Sequence, residues 1–98
     1  MYINVIEAYR KIIAIADAEL IGKTFSEGNK QLDIKESFYK GDIKPIEEIK
    51  ELIIFGLKED ATFNLVGEKT INLALEMGII NEESVGKIEN IPYAMILI

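Results

Sequence analysis

Cysteine and histidine are both absent from the chain. Without cysteine there are no disulfides, no thiolate metal sites and no thiol nucleophile. Without histidine the chain lacks the side chain that normally titrates near neutral pH and most often acts as general acid or base. Any catalysis would therefore depend on Asp, Glu, Lys or Tyr, or on water bound to a hard metal ion.

Long apolar runs are missing as well, and none approaches the roughly 20 residues that a membrane-spanning helix needs. The N-terminus shows no basic region followed by an apolar stretch and a cleavage site, so no secretory signal is expected. We expect a soluble cytoplasmic protein without membrane contact. With 98 residues, 49% of them hydrophobic and 29% charged, the chain predicts one folded domain over residues 1–98.

Positive charge is scarce in the second half of the chain. Residues 1–44 hold seven basic and seven acidic residues, whereas residues 45–98 hold four basic and ten acidic, which gives the net charge of −6. A protein that binds nucleic acid without sequence preference needs the opposite sign. Any contact with nucleic acid must therefore be local or made through another protein.

The apolar pattern predicts the order of the secondary structure. Alternating or β-branched segments predict strands at residues 2–8, 11–16, 31–35, 61–66, 85–91 and 93–98. Helical spacing predicts two main helices at residues 45–58 and 68–77, with Gly78 and Ile79 as the stop of the second. A helical turn over 17–22 takes Asp17 as its cap, and residues 26–30 and 81–84 are predicted loops. Because strands cluster at both ends, we predict an α+β two-layer sandwich with the two main helices on one face of a mostly antiparallel sheet.

The turn between the strand at 61–66 and the following helix is a candidate site. Gly67 opens a helix whose first N–H groups are expected to be free, and such an end can hold an anion or an RNA phosphate. Lys69 would add positive charge, and Asn64 could reach the same place. Glu68 opposes an anion, so a purely structural turn is the alternative.

Two aromatic residues give a second candidate. Phe38 and Tyr39 lie between Lys35 and Lys40, and this combination can stack a base or a partner's side chain. The alternative is that the aromatic pair belongs to the core. Lys23 follows Gly22 as in the end of a phosphate-binding loop, but the preceding glycine of that motif is missing, which indicates an ordinary turn.

Acidic residues could supply oxygen ligands to a hard metal ion. The candidates are Asp17, Glu19, Asp33, Glu36 and Asp60. No pair of them has a diagnostic spacing, so neither a metal nor a cofactor is predicted. The terminal apolar run from Tyr93 to Ile98 is expected either to pair inside the sheet or to be covered by a second subunit.

Three stretches resemble an archaeal family known as domain of unknown function 424: residues 16–25 (ADAELIGKTF), 36–41 (ESFYKG) and 64–68 (NLVGE). The resemblance covers nearly the whole chain and implies an archaeal cytoplasmic protein with a small two-layer α/β sandwich. Among possible cellular roles, the resemblance favours translation and RNA metabolism. One position departs from the family, which often has Pro-His-Ala-Gln where this chain has Pro92-Tyr93-Ala94-Met95. Tyrosine is no base near neutral pH, and this favours binding over a shared catalytic role.

We therefore predict a small non-enzymatic binding or adaptor module whose partner is a ribosomal or RNA-associated protein. The predicted surface consists of Asp17, Lys23, Phe38, Tyr39, Asn64, Gly67, Lys69 and Tyr93. An enzyme that uses carboxylates and Mg²⁺, gathered from Asp17, Glu19 and Asp60, is one alternative. A structural subunit that forms homo-oligomers through residues 93–98 is the other.

Overall fold

A computed structural model describes residues 1–97 and contains eight strands and three helices in that range. The strands are β1 (Tyr2–Ile6), β2 (Ile12–Ala16), β3 (Thr24–Glu27), β4 (Lys30–Asp33), β5 (Asp42–Ile43), β6 (Thr62–Val66), β7 (Gly86–Ile88) and β8 (Ile91–Ile96). The helices are α1 (Glu36–Tyr39), α2 (Ile46–Lys58) and α3 (Glu68–Glu76), with 3₁₀ turns at Ala18–Leu20 and Glu82–Ser84. No helix in the described range is long and apolar enough to cross a membrane.

Six strands form the main sheet in the order β5-β1-β2-β6-β8-β7. Neighbouring strands run antiparallel except β2 and β6, which are parallel. A parallel pair needs a long crossover, and here it includes α1, α2 and the separate β3–β4 hairpin. As a result, the C-terminal ends of β2 and β6 meet at the same end of the sheet.

Helices α2 and α3 pack together on one face of this sheet. Phe63 and Ile13 from the strands and Ile53 from α2 are almost completely buried in that layer. Gly56 lets α2 approach closely, because a Cβ there would overlap the Ile13 side chain. The prediction of an α+β fold with two main helices on one face of a mostly antiparallel sheet is confirmed.

The opposite face of the sheet has only a partial cover. The hairpin, the first 3₁₀ turn and α1 bury Ala14, Ala16 and Val66 under Ile34 and Tyr39. Two reciprocal hydrogen bonds attach the hairpin to the turn between β7 and β8. Glu27 Oε1 accepts the Glu89 N–H at 2.8 Å, and Glu89 Oε2 accepts the Ser26 N–H at 2.7 Å. This layer does not reach the start of β6 or the C-terminal end of β8.

Several element boundaries differ from the predicted ones. β1 ends at Ile6, and the fully exposed Tyr9 lies in the connection to β2. The predicted loop at 26–30 is the turn of the β3–β4 hairpin, with Gly28 at φ +61°. The predicted strand at 85–91 is interrupted by Glu89 and Asn90, whose positive φ values form the tight turn between β7 and β8.

Pro92 lies inside β8 and does not interrupt it, contrary to the prediction. Its carbonyl accepts the Gly67 N–H at 2.9 Å. The Gly67 carbonyl, in turn, accepts the Ile71 N–H of α3 at 2.9 Å. An N–H at position 92 would therefore find no strand carbonyl opposite it, so proline loses nothing there.

Both helix ends that the sequence marks lie within one residue of the predicted positions, with Pro45 as the residue before α2 and not its first residue. α2 starts directly after Pro45, whose carbonyl accepts the Ile49 N–H at 3.1 Å. α3 ends before Gly78 at φ +73°, and the Ile79 N–H returns to the Ala74 carbonyl at 3.2 Å. Ile79 packs against the core, as expected for this type of helix stop.

Candidate functional site

The N-terminus of α3 is closed by a carboxylate from a distant part of the chain. Asp17 is only 2% exposed. Its Oδ2 accepts the Lys69 N–H at 2.9 Å, and its Oδ1 accepts the Thr70 N–H and the Thr70 hydroxyl at 2.8 Å each. Both oxygens are therefore engaged by the first turn of the helix, where the helix dipole also favours negative charge.

Gly67 makes this close approach possible. Its φ is +109°, a conformation that residues with a side chain rarely adopt. A Cβ at this position would overlap Asp17 Cγ. The backbone conformation and the lack of space both require glycine here.

The predicted roles of Asp17 and of the helix end are thereby corrected. The 3₁₀ turn at Ala18–Leu20 receives no side-chain cap. The carboxylate binds α3 instead, because the Thr70 N–H is buried and needs a partner, whereas water can reach the start of the 3₁₀ turn. The expectation of free N–H groups at α3 is wrong for the same reason. The negative charge of Asp17 occupies the place where an anion would bind.

The strand order explains why three predicted residues meet. Asp17 directly follows β2, and Gly67 directly follows β6, its parallel neighbour. The Asp17 N–H donates to the Val66 carbonyl at 3.1 Å and extends this ladder by one bond. Lys69 completes the group through its backbone N–H, while its side chain is exposed.

The aromatic candidates are part of the partial cover. The Phe38 and Tyr39 rings meet edge to face, with centroids 5.0 Å apart. Tyr39 is buried, and burial raises the pKa of its phenol. Phe38 is half-buried, and its carbonyl accepts the Asn4 side-chain N–H at 2.8 Å. The pair therefore anchors α1 to the sheet, and Tyr39 offers little ring surface for stacking a base.

Two further predicted residues lie apart from this group. Tyr93 is half-buried opposite Val66, and its ring fills the space above Gly86, where a Cβ would lie 2.7 Å from Tyr93 Cζ. Lys23 follows the Gly22 turn, and its carbonyl accepts the Ile34 N–H at 2.9 Å. Its side chain is exposed.

The uncovered part of the second face forms a continuous surface, which we call the open face. Strand register defines it, because paired residues point to the same side. Ile6, Ile12 and Thr62 are paired in one row, and Asn64 and Met95 in the next. Leu97 directly follows β8, two residues after Met95, and is 73% exposed. The open face thus consists of Ile6, Ile12, Thr62, Asn64, Met95 and Leu97.

Asn64 is the predicted site residue that reaches the open face. It lies between the buried Ala14 on β2 and Met95 on β8, which is 57% exposed. Its amide has no hydrogen-bond partner within the described residues. An unpaired amide beside exposed apolar side chains can give a partner both a donor and an acceptor.

The carboxylates proposed for a Mg²⁺ site do not converge. Asp17 follows β2 at one end of β6, whereas Asp60 precedes β6, and a five-residue strand spans about 16 Å. Glu19 is exposed on the 3₁₀ turn. Residues 1–97 contain no group of three or more acidic side chains that could hold a metal ion.

Sequence reasoning missed Met95 and Leu97 as site residues. It treated residues 93–98 as one apolar run, of which Ile98 lies outside the described residues. Residues 93–96 pair with β6 inside the sheet, but Met95 and Leu97 are 57% and 73% exposed. The available signal was their spacing of two residues, which puts both side chains on the same side of the strand.

Comparison with protein families gives a match over residues 6–98 to the family described as "Protein of unknown function (DUF424)". The chain belongs to this family. Among solved structures, the DUF424 fold is similar to the crystal structure of an uncharacterized conserved protein from Methanopyrus kandleri. The TM-score is 0.81 at 20% sequence identity, over 97% of this chain and 88% of that chain. This likeness shows the fold. No curated protein matches the DUF424 chain.

Proposed function

We propose that this DUF424 protein is a small non-enzymatic binding module that holds a protein partner on its open face. The main support is that the layer formed by the β3–β4 hairpin, the first 3₁₀ turn and α1 ends abruptly on the face opposite α2 and α3. Ala14 is fully buried, whereas Met95, in the same cross-strand row, is 57% exposed. Exposed apolar side chains grouped on a rigid sheet are typical of interaction surfaces.

The chemistry of the open face favours a protein over a nucleic acid. None of its six side chains is aromatic or positively charged. Single-stranded nucleic acids are held by aromatic stacking and by Lys or Arg at the phosphates. The net charge of −6 adds long-range repulsion. An apolar surface of a protein partner, with one polar group placed to meet Asn64, fits better.

The setting that we propose is translation or RNA metabolism, with a ribosomal or RNA-associated protein as the partner. The family resemblance supports this setting. The acidic balance of the chain fits the same role, because RNA-associated proteins are commonly basic and attract an acidic partner. The module would then act as an adaptor that binds the RNA-associated protein and makes no direct contact with the RNA.

A capture experiment tests both the binding through the open face and the proposed role in translation or RNA metabolism. Met95→Lys combined with Leu97→Lys places two charges on the open face, whereas Ile54→Lys makes the same change at a 47% exposed position on α2. Tagged wild type, the double variant and the control would each capture proteins from an archaeal lysate, with and without ribonuclease. We expect wild type and control to retain the same ribosomal or RNA-associated proteins after ribonuclease, and the double variant to lose at least tenfold.

Three outcomes contradict the proposal. Absence of any ribosomal or RNA-associated protein rejects the setting. Loss of the captured proteins on ribonuclease treatment shows that RNA holds the complex. A wild-type dimer that becomes a monomer in the double variant, measured by light scattering, makes a second copy of the chain the occupant of the open face.

A further inference from the structure

We propose that a second surface, the groove between the outer edge of β1 and helix α2, binds an extended peptide segment that carries basic residues. The segment would add to the sheet beside β1. This site lies at the β5–β1 edge of the sheet, separated from β8 by β2 and β6, and the proposal does not depend on the open face.

Among residues 1–97, no strand pairs with the outer edge of β1 at Val5. β5 pairs only with Tyr2 and Ile3. The Lys44 N–H donates to the Met1 carbonyl at 3.3 Å, and Ile3 is paired with Asp42, so alternate residues of β1 point their backbone groups outward. The same alternation points the N–H and the carbonyl of Val5 outward, one step beyond the end of β5.

The chain that could have covered Val5 turns away before reaching it. Gly41 crosses β1 so closely that a Cβ there would overlap the Ile3 carbonyl oxygen. The preceding residue, Lys40, gives its N–H to the Glu36 carbonyl of α1 at 2.9 Å and not to β1. An added strand can therefore use the backbone groups of Val5, which is one of the recurring ways in which proteins recognise peptides.

The groove beside this edge has an apolar wall. Val5 is 39% exposed and Phe55 is 47% exposed, with the half-buried Leu52 between α2 and the strand. The Phe55 ring already holds a cation on one side, because Lys11 Nζ lies 4.5 Å from its centroid. Alternate side chains of an added strand would lie against this wall.

The charges of the groove determine the kind of segment. Three carboxylates line it, those of Asp42, Glu48 and Glu51, against one ammonium group. That ammonium, Lys44 Nζ, lies 3.6 Å from Glu48 Oε2. The balance is negative, so a segment with lysine or arginine at alternate positions is attracted. A second copy of this chain would instead bring two sets of carboxylates together.

Peptide titration followed by amide chemical shifts tests this site. The probes are two blocked pentapeptides of the same length, one alternating lysine with valine and the other glutamate with valine. We expect the lysine peptide to shift the amides of residues 3–7, 41–44 and 48–55 in a saturable way. The glutamate peptide should bind at least tenfold more weakly. Equal binding of both peptides, or shifts confined to other regions, overturns the proposal.

Variants separate the groove from a general charge effect. Glu51→Lys reverses one exposed charge in the groove and should weaken the lysine peptide at least threefold, whereas Glu82→Lys, at a distant exposed position, should change it less than twofold. If both variants weaken binding of the lysine peptide equally, the peptide is attracted only by the overall charge of the protein, and the proposed site is rejected.

Val5→Pro tests the added strand itself, because it removes the outward N–H without touching the ladder to β2. We expect a loss of at least threefold in affinity with the fold retained, as judged by thermal unfolding. If this variant does not fold, the Glu51→Lys comparison decides. Binding of the lysine peptide should be unchanged in the Met95→Lys and Leu97→Lys double variant, which keeps this result separate from the proposed function.

Discussion

The two faces of the main sheet are covered to different extents. One face packs against α2 and α3 over most of its area, whereas the other is covered at the C-terminal ends of β2 and β6 and is open beyond them. β6 shows the contrast within five residues, since Phe63 and Leu65 are buried under the helices while Thr62 and Asn64 are only half-buried on the other side. One strand thus stabilises the fold with one face and offers a surface with the other.

The largest expected effect is on the helix-covered face. Phe63→Ala removes a fully buried ring that touches Gly56 and should lower the free energy of unfolding by about 3–5 kcal/mol. Met95→Ala, on the open face, should change it by less than about 0.5 kcal/mol. Urea unfolding monitored by circular dichroism measures both. A comparable loss in the two variants would make the open face part of the core.

The next effect concerns the covered end of the second face. Asp17→Ala leaves the N–H groups of Lys69 and Thr70 without their acceptor, and we expect a loss of about 3 kcal/mol in the same urea assay. Asp17→Asn keeps one acceptor oxygen and should lose about half as much free energy of unfolding. If neither change alters the free energy of unfolding, water caps α3 as well as Asp17 does. The covered part of this face would then contribute no more stability than the open face.

A double-mutant cycle isolates the close approach at this end. Gly67→Ala alone should destabilise the fold by about 2–3 kcal/mol, because it adds positive-φ strain to the overlap with Asp17. In the Asp17→Ala background the overlap with the carboxyl group is removed, and only the backbone strain and the contact with the Cβ of residue 17 remain, so the cost should fall by about 1 kcal/mol. Strictly additive losses would show that the two residues do not compete for space.

A smaller effect appears at alkaline pH. Burial raises the pKa of Tyr39 above its ordinary value of 10.0, so the folded state holds this proton where the unfolded state has lost it. Stability from this group is therefore constant below pH 10 and falls above it, by at most about 1.4 kcal/mol per pH unit. Tyr39→Phe should reduce this loss, whereas Tyr9→Phe, at a fully exposed position, should not. An equal pH slope in both variants contradicts the burial of Tyr39.

The smallest effect has the opposite sign. Asn64→Leu replaces an amide without a hydrogen-bond partner by an apolar group, and we expect a gain of up to about 1 kcal/mol in unfolding free energy. The same change should reduce capture of the partner on the open face. A gain in stability together with a loss of binding is the pattern expected when a polar residue serves a site. Loss of stability would instead assign Asn64 a structural role.

The parts of the fold that follow local rules could be predicted from the sequence. α2 and α3 have a clear apolar stripe, and Pro45 and Gly78 mark their ends through backbone chemistry alone. β2 and β6 are short apolar runs bounded by polar residues. These signals lie within a few positions of the element that they define.

Elements that are exposed or very short could not be predicted. The alternation at residues 31–35 predicts most of β4, but the mostly exposed β3 lacks such a pattern and the turn around Gly28 resembles a loop, so the hairpin was missed. α1 has four residues and β5 only two. Such pieces are stabilised by neighbours far away in the sequence.

The candidate site could be predicted only in part for a related reason. The sequence singles out Asp17, Gly67 and Lys69, which do meet, but it assigns the carboxylate to the adjacent turn. Its true partners are 52 and 53 positions away. The open face depends on which residues of β2, β6 and β8 are paired, and the register of strands is not encoded by any single stretch.

The Asp17 cap has a consequence for how the chain folds. Since its acceptor atoms come from 52 positions earlier, the first turn of α3 cannot be completed by its own neighbours and must wait until β2 and β6 are side by side. Parallel pairing across so long a loop is slow compared with helix formation. The charge-balanced first half and the acidic second half therefore become one cooperative unit when β2 pairs with β6. Until then the first turn of α3 remains frayed.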